Sequence, residues 1–156
     1  MAYETPGAAR RIRVGLIGCG EAAQILHLPT LSQLADRFAV TALCDVSPTV
    51  LAHVGDVWGV EHRFEDHRRL LEHPEVDAVV VANPDPWHAQ VALDALAAGK
   101  DVLIEKPMCM TLRECDEIIA EVERTYGIKV PEDELTKITH LQSVVDLVSE
   151  KLAKKG

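Results

Sequence analysis

The segment RIRVGLIGCGEAA, Arg11 to Ala23, runs from a short apolar stretch through two glycines into a helix-forming sequence. An apolar run of this length ending on glycine reads as a strand buried on both faces, as inside a parallel sheet. A parallel partner cannot be reached by a tight hairpin and needs a crossover, usually a helix. The sequence supplies the crossovers in order. Glu21 to Leu34 has apolar residues at helical spacing, with Pro29 expected to kink the helix or end its first part. FAVTALCD is a second buried strand, after which Ser47-Pro48 offers an N-cap with proline at the first helical position, opening a helix towards Trp58. HRF leaves room for only a short strand, and Asp66 caps a helix ending near His73-Pro74. VDAVVVANP is a third long strand, followed by a helix from Trp87 to Ala98 closed by Gly99. DVLIEKP is the last clear strand, and Thr111 caps a helix from about Leu112 to Tyr126 that Gly127 stops.

Strand–helix alternation of this kind predicts an α/β fold with helices on both faces of a parallel sheet. Right-handed crossovers then favour a doubly wound order. The expectation is a Rossmann sheet of about five strands over residues 1–130, with a short helical C-terminal extension over 131–156 and no separate substrate domain.

Gly18, Gly20 and Ala23 form a G-x-G-x-x-A pattern between the first strand and the first helix. Gly18 allows the tight turn, Gly20 lets backbone approach a pyrophosphate, and Ala23 permits close helix–strand packing. The helix N-terminus then offers free N–H groups to the phosphates. Asp45 ends the second strand 25 residues beyond Gly20, where an acid accepts both ribose hydroxyls of an adenosine. The plainer reading of Asp45 is a turn or helix-capping residue. An acid there repels a 2′-phosphate, which favours NAD over NADP, and no arginine lies nearby in the sequence. Glu105 and Lys106 end the last strand and point at the crevice beyond the strand ends; a surface ion pair before a turn fits them equally well.

Composition narrows the partners. A formal net charge of -9 leaves no basic cluster to neutralise phosphates, which argues against nucleic acid. No apolar run approaches the roughly 20 residues of a membrane helix, and the N-terminus lacks the h-region and cleavage site of a signal peptide. Cys19, Cys44, Cys109 and Cys115 form no CxxC and no Cys/His pair at zinc-finger spacing. Buried, reduced thiols in a cytoplasmic protein are therefore expected, and no metal site. Oligomeric state is not legible.

Residues 12 to about 125 resemble the N-terminal domain of the Gfo/Idh/MocA oxidoreductases. The segments that carry the resemblance are RVGLIGCGEAAQILHLPTL, VTALCDVSP, PEVDAVVVANPDPWHAQVALDALAAGKDVLIEKPM and TLRECDEII. The resemblance implies that Gly18, Gly20, Glu21 and Ala22 line the pyrophosphate and that Asp45 holds the ribose. It implies that Ala82, Asn83, Pro84 and His88 border the path from adenine to nicotinamide. It places Glu105 and Lys106 near the nicotinamide ribose and substrate, with Lys106 assisting proton transfer, and Lys106-Pro107 carrying a cis bond. Asn83 and Asp85 depart from the Thr/Ser and Asn more usual in the family's loop.

Members of that family continue into a second α/β domain. Here GIKV, from Gly127, could begin a sixth strand, but Pro131 and the acids that follow stop it. The stretch from Glu117 to Leu152 instead resembles the back half of an acyl carrier protein. Leu112 stands where the phosphopantetheine-bearing serine would be, which argues against a carrier function. Leu141, Val144, Val145, Val148 and Leu152 recur at helical spacing, as in a helix docked on the core. Two expectations follow: an NAD-binding oxidoreductase domain that turns over little alone, or a recombined or designed chimera of Rossmann core and carrier-like helices.

Overall fold

A computed structural model of the chain describes residues 10–129, 131, 149–151 and 153. Five strands form one parallel sheet: β1 (Ile12–Ile17), β2 (Phe38–Cys44), β3 (His62–Phe64), β4 (Ala78–Val81) and β5 (Asp101–Ile104). Their order is β3-β2-β1-β4-β5. The chain winds outward from β1 in one direction and then returns to the other side at β4, so the sheet is doubly wound as expected. That reversal opens a crevice beyond the carboxyl ends of β1 and β4.

The crossovers are α1 (Leu28–Gln33), α2 (Pro48–Trp58), α3 (His67–Leu71) and α4 (His88–Ala97), and α5 (Leu112–Tyr126) follows β5. Their starts follow the local chemistry. Ser47 Oγ accepts from Val50 N, Asp66 accepts from Arg68 N, and Thr111 and Glu114 form a reciprocal capping box at α5. The core lies on both faces of the sheet. Leu16, Leu28, Leu43 and Val54 pack on one face; Ile17, Leu70, Val79, Val81 and Val91 pack on the other.

Pro29 does disturb the first helix. Residues Ala23–His27 form a π-turn, in which Leu28 N donates to Ala23 O, and Pro29 sits in the first turn of α1. Proline has no N–H for the carbonyl four residues back, and the wider turn absorbs the defect. The extra residue changes which face His27 presents, and it is buried. Ala23, also buried, sits against the core as its small size suggested.

The cysteine expectation holds for half the set. Cys19 and Cys44 are free and buried, but Cys109 and Cys115 are joined in a disulfide with Cα atoms 5.9 Å apart. The loop after β5 turns back on the first turn of α5, so a six-residue separation closes across the helix start. The CxxC and zinc spacings sought in the sequence do not detect such a geometry. The apolar tail positions Leu141, Val144, Val145, Val148 and Leu152 lie outside the described residues, as does most of the carrier-like stretch beyond residue 129. Among the described residues, no helix is long and apolar enough to cross a membrane.

Candidate functional site

A cavity of about 730 Å³ opens along the carboxyl ends of the strands. From the sequence-derived candidates it gathers Gly18, Gly20, Ala22, Asp45, Ala82, Asn83, Pro84, His88, Glu105 and Lys106. Glu21 and Ala23 are not among its lining residues: Glu21 is exposed on the helix and Ala23 is turned into the core. The cavity also takes in Val46, Glu65, Asp66, His67, Arg68 and Trp87. The β3–α3 turn brings Arg68 to the site from 23 positions beyond Asp45, so the absence of a nearby arginine in the sequence does not hold in space. Arg68 is an exposed side chain in an ion pair with Asp94 at 3.4 Å.

The glycine turn is fixed from two sides. Gly18 has φ +92°, and a Cβ built there would lie 2.4 Å from the backbone nitrogen of Asn83. Only glycine fits this conformation against the β4 loop. A Cβ at Gly20 meets nothing within 4 Å, so the same turn leaves bare backbone facing open space. Cys19 N, between them, donates to Asp45 Oδ2 at 2.8 Å, while Ser47 N donates to Asp45 Oδ1 at 2.8 Å. Asp45 thus caps a turn as well as lining the cavity; the two readings from sequence are compatible.

At the other end His88 is 1% exposed. Its Nδ1 lies 2.7 Å from Pro107 O and its Nε2 2.7 Å from Asn83 O, linking the β4–α4 and β5–α5 loops. Lys106-Pro107 is cis, as expected. Glu105 Oε1 contacts His27 Nε2 at 2.8 Å, and Oε2 accepts from Lys106 N at 3.1 Å. The Lys106 amide, foremost, holds the Glu105 carboxyl below its ordinary range; burial opposes it, and the His27 contact adds to the lowering. His27 was not a sequence candidate, because a regular helix gives no reason to bring it to the strand ends.

The residues present fit a dinucleotide. The open space at Gly20 suits a phosphate that must approach backbone closely. Asn83 Oδ1 is buried beside the cavity without a hydrogen-bond partner among the described residues, as an acceptor reserved for a ligand would be.

Fold and site together define a dinucleotide-binding domain of the Rossmann class. Residues 12–130 match the family described as "Oxidoreductase family, NAD-binding Rossmann fold", Gfo/Idh/MocA. The chain belongs to this family. It is 36% identical over 118 residues to an inositol 2-dehydrogenase of Acidothermus cellulolyticus, covering 76% of this chain and 34% of that protein. An uncharacterized oxidoreductase, YrbE, of Bacillus subtilis is 30% identical over 119 residues, with 76% and 34% covered. Among solved structures, the WlbA dehydrogenase of Bordetella pertussis, in complex with NADH and UDP-GlcNAcA, superposes with a TM-score of 0.71 at 28% identity, covering 74% of this chain and 35% of that one. The chain therefore spans about a third of the length of these relatives.

Proposed function

We propose that this chain binds a nicotinamide dinucleotide across its strand ends, NAD in preference to NADP. The observation that carries the reading is the placement of Asp45, the open backbone at Gly20 and the Glu105–Lys106 pair along one cavity. Asp45 would take the adenosine ribose, and Gly18, Gly20 and Ala22, with Glu21 on the same turn, the pyrophosphate. Ala82, Asn83, Pro84 and His88 would border the path to the nicotinamide end, where Glu105 and Lys106 stand. Ala23 would act through packing.

When bound, the nicotinamide supplies hydride acceptance or donation. Lys106 is exposed at that end of the cavity, and its ammonium or amine is the group placed to hold or take up the substrate's proton. The inositol 2-dehydrogenase relative supports a sugar or polyol as the substrate class of the parent enzyme. Hydride transfer needs a substrate held against the ring and sheltered from water. The chain spans about a third of the length of its relatives, and this span by itself is proposed to bind cofactor and turn over little.

Calorimetry of the purified chain with NAD and NADP tests the reading: saturable binding with NAD the tighter supports it, and no binding of either refutes it. A second reading is a chimera of Rossmann core and carrier-like helices without a substrate of its own. What supports it is the carrier-like sequence from Glu117 to Leu152, which overlaps the family match inside α5. Polyol-dependent NADH formation at ordinary enzyme rates, lost in Lys106→Ala, would exclude the chimera and the claim of low turnover alike.

A further inference from the structure

The π-turn in the first helix has a destination. It brings His27, 9% exposed, to within 2.8 Å of Glu105 at the end of β5. These groups are 78 residues apart in the chain, and the contact joins the helix that follows the glycine turn to the opposite end of the cavity. Both oxygens of Glu105 are engaged, one by His27 and the other by the Lys106 amide. The side chain of Glu105 is 19% exposed and has little freedom to move. The titratable groups that face this carboxylate are His27 and Lys106.

We infer that His27 is a positioning residue that holds the Glu105 carboxylate at the nicotinamide end of the cavity and so favours the oxidised over the reduced cofactor. The inference rests on the reading that the cavity binds a nicotinamide dinucleotide. Laid from Asp45 past Gly18 and Gly20, such a ligand carries its second nucleotide towards β4 and β5. The oxidised nicotinamide ring is cationic and the reduced ring is neutral. A fixed carboxylate at that end distinguishes them by charge, and fixed charge near a cofactor ring is one of the means by which a protein tunes it. A neutral imidazole can donate its Nε2 hydrogen to Glu105 and leave the carboxylate's charge intact. Without that donor the carboxylate loses one of its two anchors.

The test is the dissociation constants of NAD and NADH, measured by calorimetry on the intact chain and on His27→Leu, His27→Gln and Glu105→Gln. His27→Leu is expected to weaken NAD about tenfold, the scale of one charge-assisted hydrogen bond, and to leave NADH nearly unchanged. Gln retains an N–H donor, so His27→Gln is expected to recover most of the loss. Glu105→Gln removes the charge while keeping the shape, and should lower the NAD to NADH preference in the same direction even if His27→Leu folds poorly. A merely structural role would weaken both cofactor forms alike. Equal losses for NAD and NADH, or a preference unchanged in Glu105→Gln, overturn the inference while leaving cofactor binding intact. Failure of the unmodified chain to bind either form overturns the functional reading, and the inference with it.

Discussion

Asp45 and Cys19 are joined through the glycine turn: Asp45 Oδ2 accepts from Cys19 N at 2.8 Å, while the other carboxylate oxygen accepts from Ser47 N. One acid thus braces the turn after β1 against the turn after β2. On the proposed reading it also presents negative charge where a 2′-phosphate would sit. Asp45→Ala is expected to weaken NAD about tenfold through the lost bracing and ribose contacts, and to weaken NADP less. The gap between the two cofactors narrows. Parallel titrations of both cofactors check this, and equal affinities in the unmodified chain would remove the role given to Asp45.

Gly18 and Gly20 separate folding from binding. Gly18→Ala places a Cβ in a left-handed conformation and against the Asn83 backbone, so a clear fall in the thermal midpoint is expected. Gly20→Val puts its side chain into space that meets no protein atom at the Cβ. The thermal midpoint of Gly20→Val should stay close to that of the unmodified chain while NAD binding is lost. Thermal unfolding with and without NAD reads both effects.

Acid sensitivity should centre on Asp77. Its carboxylate meets the Arg13 side chain at 2.8 and 2.9 Å, the Arg13 amide at 2.9 Å and Arg10 at 2.7 Å. These contacts, the Arg13 guanidinium first, hold the Asp77 carboxyl far below the usual carboxylate range. A depressed carboxyl stabilises the fold fully above its unfolded value of about 3.9, and that contribution fades as the pH falls from there towards the folded value. Asp77→Asn should therefore melt at a lower temperature than the unmodified chain at pH 7. The two should converge as the solution is taken below about pH 4. A constant difference across that range would count against the linkage.

The cysteines should divide into two chemical classes. Burial pushes the Cys19 and Cys44 thiols up to about 12, with the neighbouring Asp45 adding to the rise in each. Neither should react with iodoacetamide in the folded chain, since the thiolate is the nucleophile. Cys109 and Cys115 should become reactive only after reduction. Peptide mass mapping of alkylated protein, before and after reductant, distinguishes the pairs. Labelling of Cys109 in the unreduced chain would contradict the bridge.

Much of this was legible in the sequence because the signals were local. Strand runs, the Ser47, Asp66 and Thr111 caps and the glycine turn are each written within a few residues. The crevice followed from strand order, and the family resemblance supplied Ala82, Asn83, Pro84 and His88 among its lining residues. The unread features depend on non-local geometry or on a shift in helical phase. His27 needed the π-turn to reach Glu105, Arg68 needed the β3–α3 turn to bring it beside the cavity, and Cys109 needed the loop after β5 to fold back on α5.

The double contact of His88 makes two loops into one mechanical part. Its ring is a pin through the carbonyls of Asn83 and Pro107, and the disulfide at Cys109 fastens the same segment to α5 two residues further on. A ligand that draws Asn83 inward must drag Pro107 with it, and the start of α5 follows. Occupancy of the cavity would therefore be transmitted as a small rigid displacement to the outer helix, rather than dissipated in a loose loop.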